Sequence, residues 1–186
     1  MIDKIQNLLS NYRPDFTGAQ KPPLHRAAVL ILLYMVDREM GIVLIRRSDD
    51  VGLHRGQMGF PGGMVEPGDN GELLSTALRE VEEELRVDPA HIRIMGRMSD
   101  RNTMVSGILV TPFVGLIPFP YAFSPDTREI QSVHATALRE LIGTSGKAKD
   151  TFELPTPIYI LDGQPVWGLT ARILTELIEV LRPVLK

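Results

Sequence analysis

The sequence predicts a single mixed α/β domain, and three observations predict it. Strand-like apolar runs at 27–36, 41–46, 92–98 and 108–116 are interleaved with helix-like segments. Between them, segment 71–86 repeats apolar residues at Leu74, Leu78, Val81 and Leu85, the spacing of one helix face. No repeat, low-complexity tract or break in composition divides the 186 residues, a length suited to one hydrophobic core.

Each element has its own local reason. Ile2, Ile5, Leu8 and Leu9 give the opening segment a helical period, and 13–23, with three prolines, reads as an irregular connector. Residues 1–25 are thus an N-terminal helix and connector, and 26–186 form the main domain. The polar stretch 37–41 between two apolar runs predicts a hairpin turn. Segment 51–71 is glycine-rich and carries Pro61 and Pro67, the composition of a loop that must turn sharply or approach a ligand closely. The helix over 71–86 follows, with Asp69 or Asn70 available to cap it. A second helix is predicted over 132–142, a solvated loop at 147–150 and a short strand at 157–161. The closing segment 170–185 places Ile173, Leu174, Leu177, Ile178 and Leu181 on one helix face. The apolar faces of the first and last helices leave two readings open: they complete the monomer core, or they pair two copies as a homodimer.

Composition removes several classes of function. Twenty basic and 23 acidic side chains give a net charge of -3, so no electrostatic case exists for nucleic-acid or membrane-surface binding. There is no cysteine, which excludes disulfides, zinc thiolate centres and a cysteine nucleophile. The first twelve residues lack the pattern of a secretory signal, and the longest apolar run, 27–36, is far short of a membrane span. These features predict a soluble, cytoplasmic protein.

The chemistry concentrates on the helix over 71–86. At 100° per residue, Glu83 and Glu84 lie about 60° and about 40° to either side of Glu80, while Glu82 points away. Like charges at these spacings repel by a few tenths of a kcal/mol per pair, roughly, a penalty that a divalent cation reverses. Hard cations take oxygen ligands and keep positions open for water and phosphate. A solvated acidic face is the competing reading. The context brings the metal site level with it: Phe60-Pro61-Gly62-Gly63 brings bare backbone close, and Arg79 stands where a guanidinium can orient carboxylates.

Residues 63–87 resemble the signature of the Nudix hydrolase superfamily. Its core element reads here as Arg79-Glu80-Val81-Glu82-Glu83-Glu84-Leu85-Arg86-Val87, with Arg86 in place of the closing glycine. The glutamate that the signature carries eight residues before the arginine is Gly71 here. Gly63 precedes Arg79 by sixteen residues, two more than usual, and Asp69 or Glu72 is the candidate substitute acid. Arg47-Ser48 and the run from His54 and Arg55 through Gln57 to Gly63 are similar to the extended motif of the coenzyme A pyrophosphatase branch. So are Val110-Thr111-Pro112-Phe113-Val114-Gly115 and Val166-Trp167-Gly168-Leu169-Thr170-Ala171. An arginine of that branch is Gly52 here, with Arg55 or Arg101 as compensating candidates.

The resemblance implies a Nudix-type α/β/α sandwich, with a mixed sheet between helices and a loop-helix-loop catalytic box. It implies Glu80, Glu83 and Glu84 as ligands of Mg²⁺ or Mn²⁺, the Gly63 carbonyl as a fourth, and Arg79 as part of the catalytic set. Arg47, His54, Arg55 and Gln57 are the candidate substrate contacts, and Glu129 a candidate acid from a facing loop. Trp167, the sole tryptophan, is expected in the core near the last helix, with adenine stacking as the alternative. The implied reaction is cleavage of coenzyme A or an acyl-CoA to 3′,5′-ADP and 4′-phosphopantetheine or its acylated form. Two other readings stand beside it: hydrolysis of another nucleoside diphosphate derivative, such as NADH or ADP-ribose, and a non-catalytic nucleotide-binding module. The intact glutamate trio speaks against the last.

Overall fold

The structure, a computed structural model, describes residues 1–15, 25–50, 55–103, 107–149 and 155–185. In chain order the first elements are α1 (Ile2–Asn11), β1 (His25–Val36), β2 (Glu39–Arg47), β3 (Met58–Gly59), β4 (Gly62–Met64) and α2 (Leu73–Leu85). They are followed by β5 (Arg93–Arg97), β6 (Arg101–Asn102), β7 (Ile108–Leu116), β8 (Ile130–Ala137) and α3 (Leu138–Gly143). The last are β9 (Gly146–Lys149), β10 (Pro155–Leu161), β11 (Gln164–Val166) and α4 (Gly168–Leu181).

Strand β1 organises the layers because its side chains are apolar on both faces. Leu30, Leu32 and Tyr34 are buried in one cluster with Ala77, Val81 and Leu85 of α2. Ile31 and Leu33 fall in the opposite cluster, with Ile5 and Leu9 of α1 and Ile173, Leu174 and Leu177 of α4. Alternation along a strand separates the two sets, and the helical period supplies the matching stripes. Each fully buried Leu or Ile contributes about 2 kcal/mol, so neither helix layer is optional. The result is the α/β/α sandwich. The apolar faces of α1 and α4 both complete this core within one chain.

The sheet is mixed. β1 pairs β7 in parallel, with His25 opposite Ile108, and pairs β2 and β4 antiparallel. β4 lies against Ala27–Val29 of β1, while β2 lies against Leu32–Val36. β3 pairs Ile45 and Arg46 of β2. The loop feeding α2 is therefore stitched into the sheet between the splayed halves of the first hairpin. That hairpin closes through Asp37 and Arg38, both at positive φ (48° and 70°), as a two-residue turn matched to strand twist requires.

Several expectations are corrected. The predicted helix over 132–142 is strand β8 up to Ala137 and helix α3 only from Leu138. Ala135 is exposed and Thr136 and Ala137 are half-exposed, so cross-strand pairing with β2, from Gly41↔Ala137 to Arg47↔Ile130, overrides local propensity. The predicted loop at 147–150 begins as strand β9, which pairs β10 although Lys147 is exposed, and Asp150 lies outside the described residues. The last helix spans 168–181 with a short 3-10 turn after it, and α2 starts at Leu73 without a side-chain cap. Trp167 is 47% exposed, not in the core. Strand alternation turns Val166 inward, and the next residue outward. Among the described residues no helix is long and apolar enough to cross a membrane.

A polar knot ties α1 to α4. Glu176 accepts from the Ser99 backbone N–H at 2.9 Å, from the Tyr12 hydroxyl at 2.5 Å and from Arg101 Nε at 3.1 Å. Burial alone pushes this carboxyl up, yet the hydrogen bonds from Tyr12, Ser99 and Arg101 outweigh it and hold the group below its ordinary range. A depressed carboxyl contributes stability above its unfolded value, about 4.3, which is lost as pH falls through the folded one. Glu176→Gln is expected to cost on the order of 2 kcal/mol at pH 7, about 4–8 °C in Tm. Thermal melts against pH check this: the gap between variant and parent should shrink below about pH 4, and a pH-independent gap would count against the ionic origin.

Candidate active site

The site is built where β2, β4 and α2 meet. Glu84, on the sheet-facing side of α2, has a side chain only 2% exposed. Both its oxygens are engaged: Oε1 accepts from Arg47 Nη1 at 2.9 Å, and Oε2 accepts from the Gly62 backbone N–H at 3.0 Å. Arg47 Nη2 also donates to the Gly62 carbonyl at 2.8 Å. Burial raises the Glu84 carboxyl to about 7, because the charge of Arg47 and the Gly62 N–H only partly offset desolvation. Gly62 is required here: at φ +150° an added Cβ would stand 2.3 Å from the Ala28 carbonyl. At Gly63 an added Cβ would stand 2.3 Å from Glu80 Oε1, so this glycine makes the room in which that carboxylate lies.

Arg79 is the second organising cation. Its Nη1 donates to Glu80 and to Glu83, both at 2.9 Å, so two carboxylates converge on one nitrogen. Its Nε and Nη2 grip the two oxygens of Asp69 at 2.9 and 3.1 Å. Asp69 is buried, accepts further from the Glu66 N–H and the Thr76 hydroxyl, and is held well below the carboxylate range, chiefly by Arg79. Of the two candidate substitute acids, Asp69 therefore meets the arginine, whereas Glu72 meets Ser75. Asp69 does not cap α2. It closes the 3-10 turn Pro67–Asp69.

Glu80, Glu83 and Glu84 line a cavity of ≈ 310 Å³, with Asp126, Arg128 and Glu129 on the facing side. Backbone bonds fasten that side to the end of α2: the Asp126 N–H donates to the Glu84 carbonyl at 2.9 Å and the Ser124 N–H to the Leu85 carbonyl at 3.1 Å. Glu129 thus reaches the cavity as expected. Asp126, Arg128 and Arg86 also line it and were not singled out by spacing, since only the tertiary fold brings 126–129 opposite α2. Glu82 is exposed, as the helix phase predicts, and Glu83 keeps 56% of its side chain in solvent.

The other candidates are distributed differently. The Arg47 guanidinium faces Glu84 and Gly62, inside the scaffold of the site. Gln57 offers its carbonyl to the Arg47 N–H at 3.1 Å, and Arg55 is exposed. Arg101 is paired with Glu176. His54 and Gly52 lie outside the described residues.

The donor set suits a hard divalent cation: it is all oxygen, Gly63 leaves bare backbone beside Glu80, and burial raises both Glu80 and Glu84. Among the described residues no three acidic or histidine side chains are already gathered into a closed cage. Each carboxylate is instead held by a guanidinium or a backbone N–H.

Comparison with known proteins decides the family. A family model of the NUDIX domain matches residues 24–150. A Yersinia pestis protein named as the uncharacterized Nudix hydrolase NudL is 35% identical over 159 residues, 83% of this chain and 78% of its own length. The chain belongs to the Nudix family. NudL of Yersinia pseudotuberculosis matches to the same extent. Among solved structures, the Nudix domain of Shewanella oneidensis NrtR, complexed with ADP ribose, matches with a TM-score of 0.55 at 20% identity, over 97% of each chain. The C. elegans Ap4A hydrolase binary complex has a TM-score of 0.53 at 18% identity, over 64% of this chain and 85% of the other. These two likenesses show the Nudix fold. The chain is accordingly a Nudix pyrophosphohydrolase, of a family that generally uses divalent metal ions.

The geometry predicts two separable lesions in this Nudix site. Gly63→Ala should displace the Glu80 carboxylate and reduce kcat by about 10²-fold, the scale of a misplaced catalytic group, with the circular dichroism spectrum unchanged. Arg47→Met should unlock Glu84, and added guanidinium ion should restore part of the rate. Gly63→Ala at the parental rate, or Arg47→Met that guanidinium does not help, would refute these roles.

Proposed function

We propose that this Nudix pyrophosphohydrolase cleaves the diphosphate of coenzyme A or an acyl-CoA, releasing 3′,5′-ADP and 4′-phosphopantetheine or its acylated form. One observation carries the reading. The stretch that resembles the coenzyme A branch contains Arg47 and Gly62, and these residues hold both oxygens of Glu84. The motif is therefore part of the site's own architecture.

Glu80, Glu83 and Glu84 would hold Mg²⁺ or Mn²⁺, with the Gly63 carbonyl as a further oxygen donor. Such an ion, when bound, supplies positive charge against the phosphoryl oxygens and lowers the pKa of water. Arg79 holds Glu80 and Glu83, and Arg47 holds Glu84, so α2 presents the three carboxylates from fixed positions. Hydrolysis requires a proton to leave water as its oxygen bonds to phosphorus and the bond to the leaving phosphate breaks. One of the three glutamates of α2 would take that proton as general base in place of a ligand role, and Glu129 is the candidate acidic residue across the cavity. His54, Arg55 and Gln57 are the proposed substrate contacts, on the strength of the motif they belong to.

Chromatographic product analysis tests the reading. With Mg²⁺ or Mn²⁺, a panel of coenzyme A, acetyl-CoA, NADH, ADP-ribose and dinucleoside polyphosphates should yield 3′,5′-ADP in preference to other products, and EDTA should abolish it. Preferred cleavage of another panel member would discard the coenzyme A reading and keep the hydrolase. Glu83→Gln and Glu84→Gln should each lower turnover by about 10²-fold or more, whereas Glu82→Gln should leave it within about twofold.

A further inference from the structure

We propose that Arg86 is a phosphate-binding residue of this cavity, donating to a phosphoryl oxygen of the bound diphosphate. The inference rests on the pyrophosphohydrolase reading and deepens it. Arg86 ends α2 in the left-handed region, at φ 55° and ψ 37°. Glycine adopts that conformation without a steric cost, and the Nudix signature has its closing glycine at this position. The chain thus carries a long side chain where the backbone favours none, and that side chain lines the ≈ 310 Å³ cavity.

The cations around the site are otherwise committed. Arg79 holds Asp69, Glu80 and Glu83; Arg47 holds Glu84 and the Gly62 carbonyl; Arg128 grips Asp126 through Nε and Nη2, at 3.0 and 2.5 Å. Arg86 makes no side-chain hydrogen bond among the described residues, although its charge is felt at Asp126. Seven residues of helix separate it from Arg79, about 10 Å along α2. It therefore offers its planar donors at the end of the cavity away from the Asp69 pair. A guanidinium with open donors matches two phosphate oxygens at once. The competing role is structural: a cation at a helix C-terminus stabilises the helix dipole.

Calorimetric titration with methylenediphosphonate, a diphosphate that cannot be hydrolysed, separates the two in the presence of Mg²⁺. The parent should bind it, Arg86→Gly should bind about tenfold more weakly, and Arg86→Lys should retain part of the affinity. The Tm of Arg86→Gly should be unchanged or higher, because glycine suits the backbone there; a purely structural role would lower it and leave binding intact. Equal affinity in parent and Arg86→Gly, or no binding by the parent, overturns the proposal. Coenzyme A hydrolysis by the same preparations keeps the two readings apart. Arg86-dependent diphosphonate binding by a protein that does not cleave coenzyme A would sink the substrate reading alone. Cleavage with the same KM in both proteins, together with equal diphosphonate affinity, would sink this one alone.

Discussion

The burial of Glu84 is the constraint on which the rest of the site depends. A carboxylate removed from water is strongly disfavoured unless charge and hydrogen bonds replace hydration. Arg47 comes from β2, the Gly62 N–H from β4 and the carboxylate from α2, so one side chain joins three elements. The joint explains why the loop before α2 is woven into the sheet and does not hang from it. It also explains the backbone at Gly62, which must pass too close to β1 for any side chain. What remains uncompensated appears as a carboxyl raised to about 7, a group that gains strongly from any further positive charge.

Arg79 solves a different problem, the crowding of like charges on a helix surface. It sits between Glu80 and Glu83 and is itself fixed by Asp69, whose own geometry comes from the turn at Pro67–Asp69. Gly71 stands where the signature has its glutamate, and Asp69 meets the arginine in its place. The acid moves with the turn, and the guanidinium finds it again.

Much of this was legible in the residues, for identifiable reasons. The 108–116 run is bounded as strand β7 because a buried strand is a continuous apolar segment. The phase of α2 follows from its apolar stripe, which is why Glu82 faces solvent while Glu80 and Glu84 do not. Strand β8 was not legible, since its half-exposed residues carry no clean alternation and its identity comes from pairing with β2. Trp167 was misplaced because bulk suggests burial, whereas the register of a three-residue strand decides it. The facing side of the cavity, Asp126 to Glu129, depends on tertiary hydrogen bonds to the end of α2 and has no signature in local spacing.

The parallel pairing of β1 with β7 has a consequence for how the enzyme fails. His25 stands opposite Ile108, so the first hairpin, the whole loop and α2 lie inside the segment that this pairing closes. Closing so long a loop carries a large entropic cost and makes folding slow relative to domains with local contacts. Freeing β7 releases the enclosed segment from one edge of the pairing that closes it. Loss of the sheet in this chain therefore carries the site with it.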